Sequence, residues 1–204
     1  MSFTKEVTIK KAIISNPNTV SYYGKLIEQH VFTLSCDKAG IPEMVSVTVS
    51  HLNNVMHPYQ NNVVAFSSLH YMIDNVYIDY SVRQEGKGTE YFEMLMHEIL
   101  ATIKEPIGAV TDWASMVDTY WKLGGKVIDD TLNFYEGACW FLFNGSDNLH
   151  EKLFYEYRNG SPVDSWELKY LKKLNNKPRD SNPRHKGSDT DSSDLSESDE
   201  SESF

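Results

Sequence analysis

The chain has 204 residues, 40% of them hydrophobic and 12% aromatic, enough for one domain with a core and too few for two large ones. Its longest uninterrupted apolar run, Ala138 to Phe143, is six residues against the about 20 a membrane helix needs, and the opening MSFTKEVTIKK has no apolar leader core, so the sequence predicts a soluble chain with no membrane contact, kept in the cytoplasm. The formal charge is −10, and residues 1–168 carry 21 acids against 12 bases, which argues against a broad basic face for nucleic acid.

In chain order, Glu6–Ile14 and Met44–Ser50 alternate apolar with polar residues, as half-buried strands do. Between them the spacing predicts one or two helices, over Thr19–His30 and Phe32–Ala39, with Asn18 or Thr19 as cap. Residues 51–62, polar and containing Pro58, read as a loop where a substrate could be held. Val63–Leu69 and Val76–Val82 (VYIDYSV) are two further strands. Thr89–Lys104 then sets Phe92, Leu95, Met96, Ile99, Leu100 and Ile103 on one helical face. Ile107–Thr111 reads as a short buried strand, and Ser115–Leu123 as a helix stopped by Gly124 and Gly125. Lys126–Asn133 and Ala138–Asn144 form a closing hairpin around Tyr135, Glu136 and Gly137. The order describes a mixed α/β domain.

Cys36 and Cys139 lie far apart with no metal-ligand spacing around them, so they read as buried thiols, with no metal site. Chemistry concentrates instead in Arg83-Gln84-Glu85-Gly86-Lys87-Gly88, between a strand and a helix that opens with Thr89. Two glycines two apart permit a sharp turn, and the amides and positive dipole end of the following helix make an anion site suited to a phosphate or pyrophosphate. The plainer alternative is a glycine turn with Arg83 and Lys87 merely solvated. The spacing fits neither a dinucleotide fingerprint nor a P-loop.

Arg83-x-x-Gly86-x-Gly88 resembles the signature of the GNAT family of N-acetyltransferases, Arg/Gln-x-x-Gly-x-Gly/Ala at a strand-to-helix junction, and Thr119–Val127 (TYWKLGGKV) is similar to that family's Tyr-x-x-x-Gly-Phe segment. The resemblance covers residues 70–144 by motif and 5–69 by element order. It implies a GNAT-like, mostly antiparallel central sheet flanked by helices over residues 1–146. It further implies that amides from Gln84 to Thr89, with Arg83 and Lys87, hold the pyrophosphate of acetyl-CoA, and that the end of strand VYIDYSV, at Tyr80 and Val82, binds the pantetheine arm and stabilises an oxyanion. Tyr120 corresponds to the family's proton donor to the leaving thiolate, a role that stands beside simple packing. Asp79 and His70 are the candidate general bases for an amine acceptor. The sequence departs from the family at Gly125, where Phe is usual, and at Trp113, where Asn is common.

The segments KAGIPEMVSVTVS and Ile107–Phe143 also resemble small GNAT-like internal virion proteins of short-tailed phages. That resemblance implies a phage protein of the host cytoplasm or the virion, catalytic or a fold-retaining virion or host-interaction protein. Residues 147–176 read as a helical appendage, LHEKLFYEYR and VDSWELKYLKKL, with Trp166 on the apolar side. Residues 177–204 read as a disordered tail, basic and then acidic, with seven acids and no base after Gly187. Its end at Phe204 resembles the partner-docking tails of single-stranded-DNA-binding proteins, which makes a protein partner or a replication adaptor role the third function weighed, beside simple solubilisation.

Overall fold

The computed structural model describes residues 7–15, 20–21, 24–36, 41–53, 55–56, 65–66, 68–130, 139–157 and 165–179. Ten strands and five helices lie in these segments: β1 (Thr8–Ser15), β2 (Val20–Ser21), β3 (Gly24–Cys36), β4 (Ile41–Asn53), β5 (Val55–Met56), β6 (Ala65–Phe66), β7 (Tyr71–Ile78), α1 (Tyr80–Gln84), α2 (Gly88–Thr102), β8 (Ile107–Thr111), α3 (Ala114–Lys122), β9 (Lys126–Asp130), β10 (Cys139–Phe143), α4 (Asp147–Tyr157) and α5 (Ser165–Asn175). Seven strands form the main sheet in the order β1-β3-β4-β7-β8-β10-β9, with β2 appended to β3 and β5 and β6 paired separately. Every pairing in the main sheet is antiparallel except β7 with β8.

The helices expected over Thr19–His30 and Phe32–Ala39 are not formed. β3 runs unbroken from Gly24 to Cys36 because His30, Phe32, Leu34 and Cys36 recur at the two-residue period of a strand and are all buried, while Leu26 is buried on the opposite face. A register shift beside Leu26 and the polar Glu28 and His30 interrupt the apolar pattern that betrays such a strand. By contrast β8 occupies the expected residues, and α2 and α3 fall within one or two residues of the expected helices. The closing hairpin is present as β9 and β10, its turn residues lying outside the described segments.

One core lies between the sheet and α2 and α3, where Phe92, Leu95, Met96 and Ile99 of α2 meet Phe32, Val45 and Val47. A smaller one, with Leu52, Leu69, Met72, Trp140 and Leu153, occupies the other face of the sheet. Each large apolar side chain so buried contributes about 1.5 to 3 kcal/mol.

The appendage wraps the outer edge of β9. The Asn175 side-chain amide pairs with the backbone of Val127 in both directions, Val127 N–H donating to Oδ1 at 2.7 Å and Nδ2 donating to Val127 O at 3.1 Å. His150 Nε2 lies 2.6 Å from the same carbonyl, and the ring is only 3% exposed. The packed body extends past the expected boundary at Lys177. Arg179 stacks over the Trp121 indole at 4.3 Å and donates to Gly125 O at 2.9 Å, at the C-terminal end of α3. Residues 180–204, including Phe204, lie outside the described segments.

Two outcomes follow for stability. Arg179→Ala removes a cation–π contact and a charge-assisted hydrogen bond and should cost about 1 to 2 kcal/mol in urea denaturation, whereas Lys177→Ala should cost little. Burial lowers the pKa of His150, and burial, joined by the neighbouring His70 and His30 and opposed by Glu28, lowers that of His51 too. A group of this kind binds its proton more readily when unfolded. Stability should therefore be full above the unfolded value of about 6.5 and fall as pH drops below it, and His150→Gln should reduce the difference between urea midpoints at pH 7.5 and pH 5.5.

Candidate functional site

β7 and β8 are hydrogen-bonded at only two residue pairs, Tyr71 with Ile107 and Met72 with Gly108. Gly108 permits this close start, since a Cβ there would lie 2.5 Å from Met72 Sδ. Beyond it the strands part. On the β4 side β7 carries a bulge: Val49 faces Ile73 and Thr48 faces Asn75, which leaves Asp74 as the extra residue. The parting opens a slot of about 360 Å³, with Ile73, Asp74, Val76 and Ile78 on one wall and Val110 and Asp112 on the other. Tyr120 and Met116 of α3 close it from the α2 side.

A second cavity of about 250 Å³ adjoins the first, sharing Ile78, Arg83, Trp113 and Met116 with it and reaching Gly86, Gly88 and Thr89. Trp113 stands at the junction and is 66% exposed. The first turns of two helices face this second cavity, Gly88 and Thr89 from α2 and Ser115 and Met116 from α3. The partial positive charges of both helix ends, together with Arg83, favour an anion.

The strand expected over Val76–Val82 ends at Ile78. Asp79 terminates it, accepting a hydrogen bond from Ser81 N–H at 2.9 Å and so capping the single-turn helix α1. Tyr80 and Val82 consequently lie on a helix, and the open strand edge offered to a ligand is Ile73–Ile78. The donors expected from Gln84 to Thr89 also shift. The amides of Glu85, Gly86 and Lys87 are spent on Ser81 O, Arg83 O and Val82 O, at 3.1, 3.0 and 3.2 Å, while Gln84 lies in α1. Lys87 makes no side-chain cap, and Tyr91 N–H is the first amide of α2 to bond back, to Lys87 O, so the available donors are the amides of Gly88, Thr89 and Glu90.

The two glycines do different work. Gly86 has φ +69°, a left-handed conformation, with nothing within 4 Å of a built Cβ. Gly88 is needed for proximity, since a Cβ there would press to 3.2 Å on Ile78 Cγ2, a wall of the slot.

Tyr120 is 2% exposed, its ring held edge-on or tilted against Phe92, Phe141 and Phe143 at 5.5 to 6.0 Å. Asp79 and His70 are not brought together with it in one cluster. Hydrogen bonds from the hydroxyl and amide of Ser81, with a further one from Tyr77 hydroxyl, hold the Asp79 carboxyl below its ordinary range, which makes it a weak base at neutral pH. His70 is exposed at the opposite end of β7, roughly 30 Å along the strand direction, beside His51 at 6.4 Å between rings. Among the described residues no His, Cys, Asp and Glu group could hold a metal ion, and no helix is long and apolar enough to cross a membrane. Asp74 and Asp112 were not singled out from the sequence. Asp74 leaves a trace there, as the acid that breaks the apolar run of YMIDNVYI.

No family model, curated protein or solved structure matches the chain.

The turn geometry makes a separable outcome. Gly86→Ala should destabilise the fold by about 1 kcal/mol in denaturant titration through backbone strain alone, and Gly86→Asn should recover part of that loss because Asn tolerates the left-handed region.

Proposed function

We propose that the chain is an acetyl-CoA-dependent N-acetyltransferase acting on a primary amine. The observation that carries this reading is the pair of adjoining cavities that run from the slot between β7 and β8 to the first turn of α2, whose opening amides have no intrahelical partner. It suits an extended ligand with phosphates at one end and a narrow amide-bearing arm at the other. The amides and Arg83 hold the pyrophosphate, Lys87 adds charge beside it, and the free edge of Ile73–Ile78 pairs with the arm as an added strand would. The resemblance of Arg83-x-x-Gly86-x-Gly88 and of the segment around Tyr120 to the GNAT family supports the same reading.

Acetyl-CoA supplies the activated thioester for transfer to an amine. The residues of the chain bind, orient and exclude water. Ile73, Val76, Ile78 and Met116 surround the reacting end with apolar surface, and backbone N–H groups along the parted strand face developing negative charge. Tyr120, fixed by its aromatic neighbours and lining the slot, would donate its phenolic proton to the departing sulfur and be restored by the proton that the nitrogen loses as the amide forms.

Acetyl-CoA at millimolar concentration should raise the melting temperature, and Gly88→Val, which pushes on Ile78, should abolish the rise. Tyr120→Phe keeps the ring and removes the proton, so turnover should fall about 100-fold with little change in acetyl-CoA affinity. Absence of stabilisation overturns the reading in favour of a non-catalytic scaffold or interaction protein; unchanged turnover returns Tyr120 to a packing role.

A further inference from the structure

One row of residues crosses the sheet where β7 and β8 are joined. Glu28 of β3 pairs with His51 of β4, His51 with Tyr71 of β7, and Tyr71 with Ile107 of β8, the first of the two pairs that hold β7 to β8. Facing residues of neighbouring strands share a face, so the row lies on the α2 side with Ile73 and Ile107. Its rings are packed together. The His51 imidazole lies flat on the Tyr71 ring, 4.6 Å between centroids and 11° from parallel, and the His30 ring meets the same phenol edge-on at 5.7 Å. His70 stands beside His51 at 6.4 Å between rings. Glu28 serves two of these rings, its Oε1 lying 2.6 Å from His30 Nε2 and 3.9 Å from His51 Nδ1. A carboxylate only accepts, so His30 Nε2 carries the hydrogen, and the buried Nδ1, which has no hydrogen-bond partner among the described residues, carries the lone pair.

We infer that this row is a pH-sensitive catch on the start of the slot: a neutral His51 clamps Tyr71 in its pair with Ile107, and a protonated His51 leaves the Tyr71 ring for solvent and lets β7 and β8 part from that end. The titratable groups that act on His51 among the described residues are Glu28 and His30 from β3, His70 and Tyr71 at the start of β7, and Glu105 just ahead of β8. Acid places positive charge on His51 and His70 side by side, and Glu28, held closest by His30, cannot answer both. A proton on His30 would set a second N–H at Nδ1, in a buried position that offers it no acceptor. The cluster therefore relieves acid by opening rather than by gathering charge. His51 is the ring with a way out, its side chain 29% exposed against 8% for His30. Burial, with His70 and His30 beside it and Glu28 opposing, lowers the proton affinity of His51 in the closed row, so the opened ring takes the proton more readily. Closure is full above the free value of about 6.5 and weakens as pH falls below it. With two pairs joining β7 to β8, loss of the first leaves Met72 with Gly108 alone. The catch acts on the frame of the slot, whatever the slot binds.

The test is native-state hydrogen exchange of the full chain at pH 7.5 and pH 5.5, each amide rate divided by its intrinsic chemical rate at that pH. On acidification, protection at Tyr71, Met72, Ile107 and Gly108 should fall by about tenfold more than protection at Leu95, Met96 and Ile99 of α2, which reports the fold as a whole. In the wild-type chain the midpoint of this extra loss should coincide with the titration of the His51 ring followed by NMR. His51→Phe keeps a flat ring on Tyr71 and takes no proton, so the extra loss should vanish; His51→Tyr does the same where the first variant packs poorly, and α2 protection at pH 7.5 shows which of them is folded. Equal losses at the strand start and at α2, no loss at either, a midpoint that follows another histidine, or an extra loss that persists in a folded His51 variant each overturns the inference.

Discussion

The site depends on two parallel strands ceasing to pair. β7 and β8 share only two residue pairs, and everything that makes a cleft follows from the edge each exposes after that. Exposed strand edges in the middle of a sheet carry unsatisfied amides and carbonyls, an expensive arrangement unless water or a ligand answers them. Here the cost is confined by close packing on either side of the gap. Gly108 and Met72 weld the strands at their start, and the ring cluster of Phe92, Tyr120, Phe141 and Phe143 closes the core beneath. The gap is thus a feature of a rigid frame, with apolar walls that raise the strength of any polar contact made inside it.

Electrostatics gives the cleft a direction. Two helix ends and Arg83 make one end attractive to anions, while Asp74 and Asp112 add negative charge to the lining of the slot. The body carries excess negative charge, so the cationic stretch of cleft surface is local and backbone-derived rather than a product of net composition. Substitution of surface lysines elsewhere would alter this polarity little, because the helix amides fix it.

The second half of the domain was readable because its signals are local. Six apolar residues at helical spacing give α2, and IGAVT between Pro106 and a helix gives β8. The first half misleads where a polar residue sits inside: His30 is buried with Glu28 bonded to it at 2.6 Å, so a strand shows an apolar pattern with a gap and reads as helix. VYIDYSV shows the converse, an alternating run cut at Asp79 by a short-range cap, for which Asp-x-Ser was the available signal. Gly86 and Gly88 were legible as a turn, but not that one serves backbone conformation and the other clearance from Ile78. The slot itself was illegible. It arises from where β7 bulges and how few pairs it makes with β8, and both are set by tertiary packing.

The Asn175 amide occupies Val127 as a one-residue strand would, with the His150 ring on the same carbonyl. The last strand of the sheet is therefore already answered on its outer side, and its ladder is interrupted near its start. At the other end β1 has a partner only in β3 among the described strands, and it exposes Ile13 and Ile14. A sheet open at both ends can recruit copies without limit and grow a filament; one open at a single end can meet another copy only edge to edge across a two-fold axis, and growth stops at two. Among the described residues, the Asn175 amide thus leaves β1 as the edge more open to pairing with a second copy.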